Sequence, residues 1–453
     1  MKKLLFALIL LFVTASINAQ NGVNTPYSRY GFGIMSERAM GFNKGMGGVA
    51  QGFRNGQEIN VANPASYSAV DSLTALFDLG ISLQNGNYKM GQLQQNIKNT
   101  SFDYFAFQFR AAKNVGMALG IMPITNIKYS FASGESPIPG HEEATSAYSF
   151  NGDGGLREVF FGTGWRPADP LSIGVNVSYI WGDYTHNMTM SFSENTALNM
   201  ARIYSANIST YNIQGGVQYI HPINPKDKIV VGATYTLGHK VGNSAYRDTR
   251  TLSSSSIEAQ TIDTIKNAFQ LPHSIAAGIT YYHTNRLRIG ADFELQKWGD
   301  CKFPNQQTGY TNNAIVSDIY QSTSGQLYDR TKISAGFEWV PNPLSTGLFK
   351  KSTYKLGGYY SNSYAKADIT GIVTDKPYEF GLSAGITMPI INRNIWHNNP
   401  KLNVSVQWVH TSIPYLSSAN ITKLTQGTLT ENYFKICLGV TFSERWFYKW
   451  KVQ

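Results

Sequence analysis

A period-two alternation of apolar and polar residues runs through the chain from about Leu73 to Phe442. In its last repeat, every second residue from Phe434 to Phe442 is apolar, and the residues between them are polar or small. Such alternation is typical of a β-strand with one apolar face. Runs of about ten residues with this pattern, separated by turn signals, indicate a transmembrane β-barrel whose strands face lipid on one side and a polar lumen on the other.

The N-terminus has the pattern of a secretory signal peptide. Lys2 and Lys3 precede an apolar stretch from Leu4 to Val13, and small residues before Gln20 predict cleavage there, so that residues 1–19 are removed. No later stretch approaches ~18 consecutive apolar residues, so no transmembrane helix is predicted. An exported barrel belongs in the outer membrane of a Gram-negative bacterium.

The composition supports a membrane barrel and excludes several other classes. Charged residues are 15% of the chain, whereas about a quarter is usual for a soluble protein. The formal charge of +10 is scattered without a basic stripe, which predicts contact with outer-membrane lipid and lipopolysaccharide and no nucleic acid. Cys301 and Cys437 are far apart and indicate neither a disulfide framework nor a metal site, and no cofactor is implied.

We predict an all-β fold with about fourteen antiparallel strands between residues 72 and 443. The predicted links after even-numbered strands are short and those after odd-numbered strands are mostly long, which is the usual arrangement of periplasmic turns and external loops. Both ends of the mature chain are then expected in the periplasm, with residues 444–453 as a tail. The predicted strand cores are Leu73–Gln84, Phe102–Arg110, Val115–Tyr129, Leu156–Trp165, Leu171–Trp181, Tyr211–Tyr219, Ile229–Leu237, Ser274–Tyr282, Leu287–Trp298, Lys332–Val340, Tyr354–Tyr360, Tyr378–Met388, Leu402–His410 and Tyr433–Phe442.

Residues 20–71 lack the alternation and are rich in Gly, Asn and Ser. A disordered periplasmic tail and a plug inside the barrel are the two interpretations. About fourteen strands enclose a lumen wider than wall side chains fill. The aromatic residues of this segment also favour the plug, because a solvated tail would expose them: Tyr27, Tyr30, Phe32, Phe42 and Phe53.

The plug segment carries a motif that resembles a known family. Residues 45–50 read Gly-Met-Gly-Gly-Val-Ala, and Asn63, Pro64 and Ala65 follow just before the first predicted strand. This order resembles the hatch of the FadL (OmpP1/FadL/TodX) family of outer-membrane transporters for hydrophobic compounds. Residues 26–33 and 446–451 resemble its Bacteroidota-type branch, in which some barrels serve protein machines such as type IX secretion.

The resemblance implies two functional elements. In the family, the element matching Asn63, Pro64 and Ala65 responds to ligand and opens the hatch; the alternative is a rigid turn, since proline fixes the backbone and asparagine bonds nearby backbone groups. Pro123, after Met122, interrupts the third predicted strand, where a proline removes a ladder hydrogen bond. The resemblance implies a lateral opening into the membrane there; the alternative is that the strand ends at Met122.

Alternation places many charged side chains inside the lumen. The central prediction is a network of seven residues, with more contributed by the wall and the plug. It is either a polar network that pins the plug or a site for an anion such as a carboxylate. The seven are Arg110, Asp292, Glu294, Lys332, Glu338, Lys355 and Glu379; the further candidates are Glu158, Arg288, Lys435, Arg29, Arg38, Lys44, Arg54 and Glu58.

Catalysis finds no support in the sequence. Residues 381–385 match G-x-S-x-G, but this motif needs a strand–turn–helix elbow and here lies within a predicted strand. We expect no enzymatic activity, and the resemblance to the FadL family implies a channel for passive uptake of fatty-acid-like or aromatic molecules, gated by the hatch and with lateral exit. The alternative is a barrel without transport activity that docks envelope proteins in an outer-membrane secretion or assembly complex.

Overall fold

The computed structural model describes residues 25–90, 93–138, 141–194, 197–253, 256–304, 309–311, 314–317, 320–366, 377–390, 400–420 and 423–445. The predicted signal peptide and residues 446–453 of the predicted tail lie outside these ranges.

Fourteen antiparallel strands form a closed barrel, and the third of them is divided into two segments, β3 and β4. The segments are β1 (Thr74–Met90), β2 (Leu93–Ala112), β3 (Val115–Pro123), β4 (Thr125–Ala132), β5 (His141–Ala168), β6 (Leu171–Phe192), β7 (Asn199–Pro222), β8 (Asp227–Thr236), β9 (Ser274–His283), β10 (Leu287–Gln296), β11 (Arg330–Trp339), β12 (Thr353–Asn362), β13 (Tyr378–Pro389), β14 (Lys401–Asn420) and β15 (Lys423–Arg445).

The barrel closes because the first strand pairs with the last. The β1–β15 ladder runs from Thr74 opposite Arg445 to Met90 opposite Leu429. The predicted fold class and strand number are confirmed. The last strand continues through Arg445, past the predicted boundary at residue 443.

The strands extend well beyond their predicted cores at the outer end. The fourth barrel strand, for example, was expected at Leu156–Trp165 and spans His141–Ala168. The predicted loop from Gly238 to His273 contains a hairpin, Ala245–Leu252 and Ile257–Ile265, whose first strand pairs with β7. Alternation does not reveal these parts, since both faces of a strand that projects beyond the bilayer meet water. The tight links at residues 113–114, 169–170 and 284–286 agree with prediction.

The remaining elements are short. None of the helices in the described ranges is long and apolar enough to cross a membrane. They are the 3-10 helices Pro26–Arg29, Lys44–Met46 and Pro64–Ala69, the α-helix Leu348–Lys351, and the strands Ile34–Met35, Ser136–Ile138, His239–Val241, Phe269–Leu271, Phe303–Pro304, Gly309–Thr311, Ala314–Ser317 and Ser322–Thr323.

The N-terminal segment lies inside the barrel, which confirms the plug. The rings of Phe42 and Phe53 pack against each other at a tilt, with their centroids 4.4 Å apart, and Tyr67 is fully buried in the same apolar cluster. Wall residues from β1 to β5 complete this cluster. We call residues 25–36 the strap and residues 37–71 the lower plug.

A ring of wall glycines forms the seat of the lower plug. A Cβ atom at any of them would overlap plug atoms, because the plug backbone lies directly against the wall. At Gly232, for example, a Cβ would overlap the carbonyl group of Gln51. The ring comprises Gly116, Gly164, Gly174, Gly216, Gly232, Gly336 and Gly357.

We predict that Gly232→Ala destabilises the folded barrel by about 1–3 kcal/mol, because an added methyl group in a filled space forces a backbone shift. The measurement is the midpoint of thermal unfolding, monitored by the difference in gel mobility between the folded and the unfolded barrel. Gly215→Ala on the adjacent strand is the matched control, since its Cβ would meet nothing within 4 Å. Equal midpoints for the two variants would show that the plug is not seated against this glycine.

Candidate functional site

The wall of the barrel loses one of its ladders beside Pro123. β3 pairs with β2 only as far as Ile121 opposite Phe105. The outer half of β2 pairs with β1 along one edge. Along its other edge, which faces β4, it pairs with no strand of the described ranges. β3 and β4 both stay paired with β5, from Pro123 opposite Arg157 to Ile127 opposite Gly154 and onward. The barrel thus has a lateral interruption between β2 and β4.

Glycines in the neighbouring strands accommodate the bend between β3 and β4. Gly154 and Gly155 in β5 both have φ near +130°, a conformation that favours glycine. A Cβ on Gly155 would overlap the carbonyl group of Thr125, at the start of β4. Both glycines lie well inside β5 and not in a loop.

The strap occupies the inner edge of the bent strand. Its short strand Ile34–Met35 pairs antiparallel with Asn126 and Thr125. Farther out, the Thr25 amide donates to the Lys128 carbonyl oxygen at 2.9 Å. The strap therefore begins, at Thr25, in the outer half of the barrel. The mature N-terminus predicted at Gln20 lies outside the described residues.

Aromatic contacts fix the strap at both sides. Phe32 is 1% exposed and lies 5.0–6.5 Å, between ring centroids, from Tyr184, Phe269, Trp298 and Phe303 in a cluster at the outer mouth.

On the opposite side, Tyr27 packs with Tyr88 and Ile413, and its hydroxyl donates to the Leu429 carbonyl oxygen at 3.0 Å. The strap thus bridges the outer halves of strands on both sides of the interruption.

A cavity of about 150 Å³ lies between the strap, the lower plug and the wall. Pro123 and Asn126 line it on one side of the interruption, and Phe102 lines it on the other. Its other charged and hydroxyl-bearing lining residues include Glu37, Asp103, Arg330, Lys332, Tyr359, Glu379, Glu431, Tyr433 and Lys435. The lining of the cavity is therefore mixed, with charged and hydroxyl groups beside apolar side chains such as Phe102 and Ile413.

The structure brings most of the predicted lumenal charges into contact with the plug. Arg288 forms ion pairs with Glu338 and, at 4.0 Å, with Glu58 of the lower plug. The ammonium group of Lys355 donates to the Phe42 carbonyl oxygen at 2.5 Å. Asp292 accepts hydrogen bonds from the backbone amides of residues 50 and 51 at 2.5 and 2.9 Å.

Other predicted charges lie near the cavity or at the rim. Lys332 is 3.8 Å from Glu37, and Glu294 is 4.0 Å from Arg330. Glu379 accepts a hydrogen bond from the Tyr359 hydroxyl at 2.7 Å.

Arg110 is not part of this group, because it lies at the periplasmic end of β2 and donates to Ser72 at 2.8 Å. The remaining candidates are also placed: Arg38 pairs with Glu158 at 2.6 Å, Arg29 lies over the Phe150 ring, Arg54 donates to the Ala65 carbonyl oxygen, and Lys435 is 3.9 Å from Asp103.

Sequence analysis missed Asp103, which forms a buried ion pair with Lys44 of the plug. A β-bulge lies here: Gly80 is opposite Tyr104, whereas Ile81 is opposite Phe102. The bulge lets adjacent residues point into the lumen, and the Tyr104 hydroxyl accepts from the Gly41 amide at 2.6 Å. Strict alternation could not reveal this pair.

The motif residues Asn63, Pro64 and Ala65 tie the lower plug to the wall. Asn63 is completely buried, caps the helix Pro64–Ala69 by accepting from the Ala65 amide, and donates to the carbonyl oxygens of Gln51 and Val217 at 3.0 and 3.2 Å. Met122 is also buried, in the apolar cluster of the lower plug. The structure places these residues but does not by itself assign them a gating role.

The residues of the G-x-S-x-G match also hold the plug. Ser383 lies in β13, and its hydroxyl accepts a hydrogen bond from the Gly47 amide at 2.8 Å. This serine does not lie in the strand–turn–helix elbow that the motif requires, because residues 378–389 form one continuous strand.

The closed barrel, its inserted plug and its divided third strand define a class by fold, the fourteen-stranded β-barrel with an N-terminal plug in its lumen, and several solved structures share this fold. The CymD monoaromatic hydrocarbon channel is 15% identical, with a TM-score of 0.54 over 92% of this chain and 100% of that chain. The toluene transporter TbuX of Ralstonia pickettii is 14% identical, with a TM-score of 0.53 over 90% and 99% of the chains.

A FadL homologue of Pseudomonas aeruginosa is 10% identical, with a TM-score of 0.57 over 92% of this chain and 99% of that chain. These likenesses confirm the expected FadL-like fold. The sequence itself matches the BamG family over residues 1–453, and the chain belongs to that family. No curated protein sequence matches the chain significantly.

The ion pairs of Glu58 predict a pH-dependent attachment of the plug. Burial by itself raises the pKa of the Glu58 carboxyl, but the cations of Lys401, Lys355 and Arg288 lower that pKa to about 2. The stabilisation is complete above the unfolded value of ~4.3 and is lost as pH falls towards about 2.

We predict that Glu58→Gln lowers the free energy of unfolding at neutral pH by about 1.5–3 kcal/mol, the usual contribution of a hydrogen bond to a charged group. The difference from wild type should shrink as pH falls from ~4.3 towards 2, in thermal unfolding measured across that range. Asp71→Asn, which changes an exposed carboxyl group at the end of the plug, is the control. A difference in the free energy of unfolding between wild type and Glu58→Gln that does not change with pH would show that the charge of Glu58 does not stabilise the plug.

Proposed function

We propose that the protein is an integral outer-membrane barrel that passes hydrophobic small molecules passively and sideways into the membrane. The observation that carries this proposal is the ladder that ends beside Pro123, because it leaves the wall unpaired between β2 and β4. The outward-facing apolar side chains of the barrel, such as Phe161, Val177 and Ile333, support the membrane placement. The hydrocarbon channels of similar fold support the class of ligand.

In this proposal the strap is the part that moves. Its backbone is attached to β4 by a two-residue ladder and a few further hydrogen bonds, and its movement requires Phe32 and Tyr27 to leave their aromatic contacts. The lower plug, in contrast, is held by the glycine seat and by ion pairs to several strands. A ligand enters at the outer mouth, displaces the strap and leaves between β2 and β4, without opening the lower plug.

Asn63, Pro64 and Ala65 act as the anchor of the lower plug in this route. A gating role for them would require the buried bonds from Asn63 to Gln51 and Val217 to break. Leaving buried donors and acceptors without partners destabilises a folded protein. The contacts therefore favour the rigid-turn interpretation of the motif over the hinge.

The mixed lining of the cavity supports an amphipathic ligand over a wholly apolar one. Its volume of about 150 Å³ is below the ~300–1,000 Å³ of pockets that enclose a whole small molecule. An anionic head group would replace Glu37 and Asp103 as the partner of Lys332 and Lys435, with the apolar part of the ligand in the interruption of the wall. This makes a fatty-acid-like compound the preferred substrate class.

We predict that a disulfide between the strap and β4 blocks uptake. Ile34 and Asn126 are directly opposite each other, and residues so paired are ~4.5–5.5 Å apart between Cα atoms, within the range of a disulfide. Cells with the oxidised double variant Ile34→Cys/Asn126→Cys should lose uptake of radiolabelled oleate and regain it on reduction. Ile34→Cys alone is the control, and unchanged uptake by the oxidised double variant would exclude strap movement.

The second candidate function is a structural or docking subunit of an outer-membrane secretion or assembly complex. The pinned lower plug favours it, because a barrel that serves as a scaffold has no need of a moving plug. Membership of the BamG family also favours it, since this family is distinct from that of the channels with similar fold. The lateral interruption is then a surface for a partner in the membrane.

Native mass spectrometry of the tagged protein, extracted gently from its own outer membrane, distinguishes the two functions. Transport predicts a monomer that carries an apolar or amphipathic small molecule. Docking predicts a stoichiometric complex with other envelope proteins and no such ligand.

A further inference from the structure

The periplasmic turn between β11 and β12 exposes large apolar side chains. Leu344 is 94% exposed and Phe349 is 69% exposed, more than any other large apolar residue that the structure describes. Leu348 is exposed beside them. Burial of such side chains away from water is favourable, so a turn that stays in water would lose this stabilisation at three positions.

The same turn is basic. Residues 341–352 contain Lys350 and Lys351 and no acidic residue. The two lysines end the short helix Leu348–Lys351, and both are exposed. Apolar side chains beside exposed lysines are characteristic of segments that lie in a membrane interface, where the ammonium groups reach lipid phosphates.

The turn is continuous with the outward-facing belt of the barrel. The Tyr354 hydroxyl donates to the Phe349 carbonyl oxygen at 3.2 Å. The Tyr354 and Trp339 rings, 6.2 Å apart, flank the turn at the ends of β12 and β11. Aromatic residues at strand ends mark the level of the lipid head groups in such barrels. The bond to Tyr354 therefore places the backbone of Phe349 close to that level.

We propose that residues 341–352 form an interfacial anchor that inserts Leu344, Leu348 and Phe349 into the periplasmic leaflet. Lys350 and Lys351 bind the phosphates of phospholipid head groups. This anchor holds one side of the periplasmic rim at a fixed depth. It rests on the proposed placement of the barrel in the outer membrane, but not on transport.

A lipid surface fits these observations better than a periplasmic protein does. Membrane phosphates complement the uniformly basic charge of the turn. The apolar side chains also continue from the lipid-facing wall, whereas a binding site for a soluble partner would be expected to point away from it.

The test uses single cysteines labelled with an environment-sensitive fluorophore in vesicles of phosphatidylethanolamine and phosphatidylglycerol. Phe349→Cys and Leu344→Cys report on the anchor. Thr346→Cys in the same turn is the polar control, and Ile333→Cys on the outward face of β11 reports on the barrel wall. Wild type is the blank, because Cys301 and Cys437 are both buried.

We expect labels at 349, 344 and 333 to be quenched by nitroxide lipids and protected from aqueous iodide, with the label at 346 showing the reverse. Aqueous quenching at 349 and 344 with a lipid-exposed label at 333 overturns the anchor while the membrane placement stands. Aqueous quenching at 333 overturns the membrane placement itself. Protection of the label at 349 in native outer membranes but not in vesicles would show that a protein partner, and not lipid, covers the turn.

The lysines are tested in the same assay. Lys350→Ser/Lys351→Ser in the Phe349→Cys background should weaken lipid quenching in vesicles with phosphatidylglycerol. Unchanged quenching would show that the apolar side chains alone place the turn and would remove the phosphate contacts from the proposal.

Discussion

The direct contact between the plug backbone and wall glycines is the constraint on which the rest of the structure depends. A barrel of fourteen strands is too wide for wall side chains to fill, so something else must occupy the lumen. Here it is a main chain with short helices, and a main chain brings polar amide and carbonyl groups that need partners. Glycines in the wall let it come close enough for inward-facing side chains to supply those partners.

The charges of the lumen follow from this arrangement. Asp292 accepts from two plug amides, and Lys355 donates to a plug carbonyl oxygen. Buried charges are tolerable only when they are paired or hydrogen-bonded. Without the plug, Asp103 of the wall would lose Lys44, and Arg288 would lose Glu58. The plug and the wall therefore stabilise each other.

Alternation predicted the barrel, its strand number and its tight turns because the bilayer imposes one apolar face on every strand. It could not predict the outer halves of β5, β6 and β7, since water lies on both sides of a strand there. It also failed at two local irregularities: the bulge that turns Asp103 inward, and the glycines of β5 that follow the bend of the third strand. Both irregularities depend on the pairing with a neighbouring strand, and the alternation within one strand carries no information about that pairing.

The bend in the third strand links the fold to the proposed transport. Structures with 10–15% identity share the path of the backbone with this chain, and that path creates the interruption beside Pro123. The side chains that line the space behind it include Glu37, Asp103 and Lys332. Because the specificity of a site depends on its side chains and not on the fold, a likeness of backbone path to hydrocarbon channels does not transfer their ligands to a lining that contains these charges.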